Sequence, residues 1–397
     1  IPENVGMNSK VLTKIDSIAN YAISKKMTPG IQVVVARKGK VIYQKSFGNH
    51  TYESTQKVNN TDVYDIASLT KIVATLPNVM QEFDKGHLTL ETKLKAMLPM
   101  ARNSNKENAT VLDMLTHQAR FQTWIPFYKA TLDSLNRPST HFYRSEFSDE
   151  FPVHVADKLY LRKNYNDTIV KTILDSELLP KKQYKYSDFT FILFKEYLEL
   201  HNKKSLEDLA HANFFEPLGA NSIMYNPLRK MNANRIIPTE NDNYFRHQIV
   251  QGYVHDMAAA MQGGISGHAG LFANALDVAK VMQMFLQKGS YGGRTYISEN
   301  TFNIFNTCYF CKDGNRRGVG FDKPQLGNEG PTCGCVSLTS FGHTGFTGTM
   351  TWADPEKEIV YVFLSNRTFP DSNATNKLSK ENIRENIQKV IYEAIIE

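Results

Sequence analysis

Val11, Ile15, Ile18, Ala19 and Ile23 recur at spacings of three and four, which predicts a helix over roughly the first 26 residues. Pro29 and Gly30 break that pattern. A β-branched run at 31–36, a Lys38-Gly39-Lys40 turn and a second apolar run at 41–47 predict two paired strands. From Leu69 the period is helical again. Ile72, Leu76, Val79, Met80 and Phe83 mark a buried face, and Pro77 inside the run predicts a bend. Residues 86–260 carry several helical segments and long polar stretches, such as 134–149, that read as loops. Strand patterns return at 318–321, 336–342, 348–353 and 359–364, and 376–396 reads as a closing amphipathic helix. Strands at both ends with helices between them predict an α/β (α+β) fold. Residues 1–85 and 265–397 form a discontinuous domain, an antiparallel sheet flanked by the terminal helices. Residues 86–264 form a mainly helical insertion, with a groove between the two.

Composition narrows the class. Hydrophobic residues make up 41% and charged residues 22% of the 397, as in an ordinary globular protein. The net charge of +6 is spread along the chain with no dense basic block, so nothing favours nucleic acid. No apolar run approaches the ~18 residues of a membrane span. The sequence starts at Ile1, so a processed or truncated form is expected. All four cysteines, Cys308, Cys311, Cys333 and Cys335, fall in one window as C-x2-C and C-x-C. A zinc-organised partner site is one reading; the tight second spacing favours disulfides or free thiols. No closely spaced ligand pattern such as H-E-x-x-H occurs, so His255, Asp256 and His268 are not read with Glu240 as a metal site but as turn and cap residues.

Three clusters could carry chemistry. In "DIASLTK", Ser68 precedes Lys71 by three residues at the start of an apolar helical run. Alone, this is a helix cap with a solvated lysine. A buried Lys71 one turn from Ser68 would instead lose proton affinity and could activate the hydroxyl. In "YKYSDF", Tyr186, Ser187 and Asp188 lead into a second helical run. Alone, that is a loop with a capping residue. In "FGHTGFTG", His343, Thr344, Gly345 and Phe346 end a strand, and Gly345 permits close backbone approach.

Together, S-x-x-K, Tyr-Ser-Asp and His-Thr-Gly resemble the active-site set of the penicillin-recognising serine hydrolases, for which S-x-x-K, S-D-N and K-T-G is a related form. The leading tyrosine resembles the branch of class C β-lactamases, D-Ala-D-Ala carboxypeptidases and β-lactamase-fold esterases. "TPGIQVVVARKGKVIYQKSFG", "VLDMLTHQA" and "GGISGHAGLFANALDVAKVMQMFL" are similar to further family segments. "WIPFYK", "PTENDNYFR", "GYVHDMAAAM" and "RRGVGFDKP" resemble a Bacteroidetes-type group often joined to a family 3 glycosidase.

The resemblance implies a β-lactamase/transpeptidase-like fold, no metal or organic cofactor, a small-molecule or peptidoglycan-fragment substrate and a periplasmic or otherwise extracytoplasmic location. It implies Ser68 as the acylated nucleophile, with Lys71 and Tyr186 sharing the general-base work. Asp188 would face the cleft beside Lys71, and His343 and Thr344 would lie on the strand bordering the substrate. The strand end at Gly345 and Phe346 would supply, with Ser68, the oxyanion-binding amides. Two departures matter. His343 stands where the family often has lysine, which weakens a fixed positive charge. It could still hold a carboxylate as a hydrogen-bond donor, or as a cation at lower pH. Asp188 stands where the family often has asparagine, which should raise the Lys71 pKa and press the base role onto Tyr186. A hydrolase of esters or amides is expected, with a non-catalytic cell-wall-fragment binding module on the same fold as the alternative. His117 reads as a buried loop-closing residue, and Trp124, Phe127 and Tyr128 as lining the cleft or filling core.

Overall fold

A computed structural model describes residues 1–396. The β-branched run near the N-terminus becomes the heart of the main sheet. Strand β1 (Gly30–Arg37) turns back into β2 (Lys40–Gly48) through Lys38 and Gly39, whose φ values of 50° and 71° suit a two-residue hairpin. Three C-terminal strands complete the sheet: β3 (Phe341–Thr344), β4 (Met350–Asp354) and β5 (Ile359–Ser365). Their order is β3-β4-β5-β1-β2, and every pair is antiparallel.

Alternation along β1 splits its side chains between two cores. Ile31, Val33 and Val35 face a layer of terminal helices, α1 (Lys14–Ser24) and a later one at Ile383–Glu393, through Ile15, Ala19, Ile387 and Ile391. Val34 and Ala36 face the larger core. That core holds helix α2 (Leu76–Asp84), helix α3 (Phe189–Asn202), helix α4 (Met257–Met261) and helix α5 (Ala275–Leu286). The Ile383–Glu393 helix is α6.

Several sequence expectations are corrected. The opening helix is split into Ser9–Leu12 and α1. Residues 318–321 form no strand, because Gly320 turns at φ 89° to bring its N–H to the Leu115 carbonyl. The strand expected at 336–342 begins only at Phe341, after a turn closed by Ser340 N–H on the Ser337 carbonyl. The closing helix is divided into Lys377–Lys380 and α6 at Asn382, whose φ is 52°. The helical run from Leu69 is a 3-10 turn at Ala67–Leu69, a π turn at Lys71–Thr75 and then α2. Pro77 bears on that change: it has no N–H to offer back to the preceding turn. Residues 86–264 hold α3, α4 and a helix at Tyr165–Asp175, but also six short strands, five of them in two small sheets. The four cysteines pair as Cys308–Cys311 and Cys333–Cys335, which consumes the thiolates a zinc site would need. No helix among the described residues is long and apolar enough to cross a membrane.

Candidate active site

The turn that carries Ser68 is built by Asp65. Its buried carboxylate accepts the N–H of Ala67 at 2.8 Å and of His255 at 2.7 Å. Ala67 is held at φ 46°, a conformation that costs a non-glycine residue ~1–3 kcal/mol and persists only where the surroundings enforce it. The strain sets Ser68 at the mouth of the turn. Opposite, Gly345 approaches so closely that a Cβ there would lie 2.2 Å from Thr349 Oγ1 and 3.0 Å from the Ile66 carbonyl.

Lys71 is fully buried on the π turn. Its Nζ lies 2.8 Å from Ser68 Oγ, 2.8 Å from Asp188 Oδ1 and 3.0 Å from the His268 carbonyl. An ammonium has three protons, and each has an acceptor here. Burial pushes the Lys71 pKa down, but the Asp188 carboxylate and then Tyr186 outweigh it, so the amine is held above its ordinary value. This is the direction expected for Lys71 from aspartate in place of asparagine.

Tyr186 lies three residues before α3, and its hydroxyl lies 3.0 Å from Ser68 Oγ. Its ring packs 4.7 Å from that of His117, and the Lys71 ammonium sits 5.1 Å from its centroid. Burial raises the Tyr186 pKa, and the Lys71 charge only partly offsets this, so the phenol is neutral at physiological pH. His117 is buried at φ 58° and accepts the Ser187 N–H on Nδ1, so it closes the loop beside Tyr186 as expected.

His343 requires a correction. Its Nδ1 lies 2.7 Å from the Thr344 carbonyl, which can only accept, so Nδ1 carries the proton. Nε2 of the neutral ring is then an acceptor, and it is buried without a partner among the described residues. Burial, with Arg317 and Lys71 nearby, pushes the pKa down to about 3. His343 is therefore neither a free donor nor a cation under mild acid. Thr344 and Gly345 border the cleft beside it, and Phe346 is half-exposed at its rim, under the Arg367 guanidinium at 4.4 Å.

Two cavities meet at Ser68, Tyr186 and Phe346. One, of about 350 Å³, is lined by Trp124, Asp188, Asp256, Met257 and His268. The other, of about 590 Å³, is lined by Arg316, Arg317, His343, Arg367 and Arg384. Arg316 is spent on a bidentate pair with Asp322, at 2.8 and 3.1 Å. Arg317 is not: its buried Nε and Nη1 have no hydrogen-bond acceptor among the described residues, and Nε stands 3.7 Å from Asp322. Positive charge that a strand lysine would supply comes instead from this loop and from α6, which carries Arg384. These arginines were missed as site residues, although the adjacent pair in "RRGVGFDKP" was in view. Asp256 and His268, read as cap and turn residues, pair at 2.7 Å in the cleft wall. Asp256 does cap α4 by accepting the Ala259 N–H. Asp65 and the His268 carbonyl carried no sequence signal. Trp124 lines the cleft, whereas Phe127 and Tyr128 are buried among core residues.

A family model described as Beta-lactamase matches residues 19–382. The chain belongs to the β-lactamase family. This β-lactamase-family chain is 27% identical over 395 residues to an N-acetylmuramyl-L-alanine amidase of Bacillus subtilis, covering 92% of this chain and 83% of that one. It is 26% identical over 394 residues to a protein of Escherichia coli K12 named as a D-alanyl-D-alanine carboxypeptidase, covering 92% and 84%. Among solved structures it is similar to EstCE1, a hydrolase with promiscuous acyltransferase activity, at a TM-score of 0.69 and 17% identity over 96% and 99% of the chains. A class C β-lactamase aligns at a TM-score of 0.65 and 15% identity over 97% and 98%. The fold expected from the sequence is thus met, and the chain is a serine hydrolase of this β-lactamase family.

Proposed function

We propose that the chain hydrolyses an amide of a peptidoglycan-derived fragment through a covalent Ser68 intermediate. The observation that carries this reading is one hydroxyl, Ser68 Oγ, within 3.0 Å of both a buried amine and a buried phenol from a distant segment. With all three Lys71 protons committed, the phenolic oxygen of Tyr186 is the acceptor left for the Ser68 proton. As Ser68 Oγ attacks the carbonyl carbon, its proton moves to the phenolic oxygen while Tyr186 gives up its own, and the N–H groups of Ser68 and Phe346 hold the oxyanion. Tyr186 passes its own proton to the leaving nitrogen, so no free tyrosinate is needed at any stage. A water attacks the ester by the reverse route and releases Ser68. The scheme draws only on side chains and amides of the chain.

The lobe containing Arg317, whose Nη2 donates to the Tyr184 hydroxyl while Nε and Nη1 have no hydrogen-bond acceptor among the described residues, suits a carboxylate on the substrate, with the neutral His343 Nε2 accepting from a nearby N–H or O–H. The two disulfides favour an extracytoplasmic location.

A fluorophosphonate or penicillin-type probe is expected to add its mass at Ser68, and Ser68→Ala to abolish the adduct. Tyr186→Phe should slow turnover about 10²-fold or more. Intact-mass spectra without an adduct from any probe, beside muropeptide binding unchanged in Ser68→Ala, would establish a binding module instead. Turnover of p-nitrophenyl esters but not of muropeptides would establish an esterase.

A further inference from the structure

A second cluster of reactive side chains lies away from the cleft, where the far ends of α2 and α3 meet. Glu82 lies in the last turn of α2, His87 just beyond it, and His201 in the last turn of α3. Glu82 is almost wholly buried, yet its Oε2 faces two imidazole nitrogens, His87 Nδ1 at 2.7 Å and His201 Nε2 at 3.2 Å. Those nitrogens are themselves 3.0 Å apart. The three atoms form one small triangle.

With Glu82 ionised, no arrangement of protons makes all three contacts good hydrogen bonds. If both nitrogens carry hydrogen, both can donate to Glu82, but two N–H groups then crowd each other at 3.0 Å. If only one carries hydrogen, the bare nitrogen faces the carboxylate, lone pair against lone pair. Three ligand atoms this close together are instead what a divalent cation requires. A tetrahedral zinc with ligands at ~2.0–2.1 Å has ligand atoms about 3.3 Å apart, so the 3.2 and 3.0 Å sides need to open by about 0.1 and 0.3 Å and the 2.7 Å side by about 0.6 Å. His87 and His201 can give that much, because their side chains are 44% and 38% exposed. Their exposure also leaves the fourth position to water. The second Glu82 oxygen is held by Lys85 at 3.1 Å, which leaves Oε2 as a single ligand atom, and His201 is braced by stacking on Tyr197 at 5.4 Å. Two imidazoles and one carboxylate suit zinc better than magnesium or calcium, which prefer oxygen ligands. The absence of a close ligand spacing in the sequence did not bear on this site, whose ligands come from two distant helices.

We infer that Glu82, His87 and His201 form a zinc site that ties the ends of α2 and α3 together. The position has a consequence for the cleft. The Ser68–Lys71 segment runs into α2, and Tyr186 and Asp188 run into α3. The cation would clamp the two helices that carry the two halves of the catalytic set.

The test is titration of the chelator-treated full chain with zinc chloride, followed by calorimetry and thermal unfolding, beside His201→Ala and the double variant His87→Ala/His201→Ala. One equivalent of zinc should bind to the wild type and raise Tm by about 2–5 °C. His201→Ala should weaken binding at least about tenfold, and the double variant should lose both effects. Cobalt(II) should give visible absorption typical of low coordination in the wild type only, and magnesium should give no response. Both substitutions are at exposed positions, so circular dichroism should match the wild type. Absence of zinc binding to the wild type would overturn the inference. So would binding of equal strength in the double variant, which would place the ion elsewhere, for instance at Asp188, Asp256 and His268.

Discussion

Replacing Asp188 by asparagine tests how the base role is divided between Lys71 and Tyr186. The change keeps the shape and removes one charge 2.8 Å from the fully buried Lys71 Nζ. The bare Coulomb energy at that range is about 6 kcal/mol for an effective dielectric constant near 20. Asp188 is about one-fifth exposed, and its own desolvation offsets part of this. Opposite charges in such settings favour the ionised form by ~1–4 kcal/mol in practice. Losing that preference enlarges the fraction of neutral amine by roughly tenfold to a thousandfold at a given pH. The amine can then compete with the phenol for the Ser68 proton. The assay is the second-order rate of Ser68 acylation by a fluorophosphonate between pH 6 and 10, in four proteins: wild type, Tyr186→Phe, Asp188→Asn and the double variant. In the wild type, losing the phenol should cost about 10²-fold or more at every pH. In the Asp188→Asn background the same loss should cost at least about tenfold less at pH 9, because Lys71 takes back part of the work. Equal costs in both backgrounds across the range would refute the reasoning. A stability corollary has a definite sign. Because Lys71 is held above its ordinary value, the pair stabilises the fold below the unfolded lysine pKa of about 10 and ceases to do so above the folded value. Asp188→Asn should therefore melt lower at pH 7, with the gap closing at high pH.

Gly345→Ala should push the end of β3 away from the Ser68 turn, since its Cβ would meet the Ile66 carbonyl at 3.0 Å as well as Thr349 Oγ1 at 2.2 Å. A loss of ~1–3 kcal/mol in stability is expected by chemical denaturation, with a larger fractional loss of turnover. Arg317→Gln should lower kcat/KM by about 10–100-fold on a carboxylate-bearing peptide, the worth of one charge-assisted bond, and by far less on a neutral ester. Equal losses on both would remove Arg317 from substrate recognition. His343→Gln should make the protein less acid-sensitive. The folded-state pKa of about 3 lies below the unfolded value of about 6.5, so wild-type stability falls as pH drops through that window. The Tm difference, variant minus wild type, should become more positive from pH 7 to pH 4; a constant difference would show that residue 343 does not titrate as described.

Local patterns carried much of this protein. The β-branched run at 31–36 determined strand β1, whose alternate side chains the fold then divides between two cores. The spacing of Ile72, Leu76, Val79 and Met80 determined the buried side of the segment behind Ser68. The S-x-x-K, Tyr-Ser-Asp and His-Thr-Gly clusters named the side chains that converge. Their chemical state was not local. The proton on His343 depends on a carbonyl one residue away and on arginines from a separate loop, and the charge on Lys71 depends on Asp188. The π turn, the strained Ala67 and the split closing helix depend on packing that no periodicity encodes. The arginine lobe and the Glu82–His87–His201 triangle exist only because helices and loops far apart in the chain meet in space. Periodicity reports which face of a segment avoids water; electrostatics and proton positions follow from what lies across the gap, and only the tertiary fold decides that.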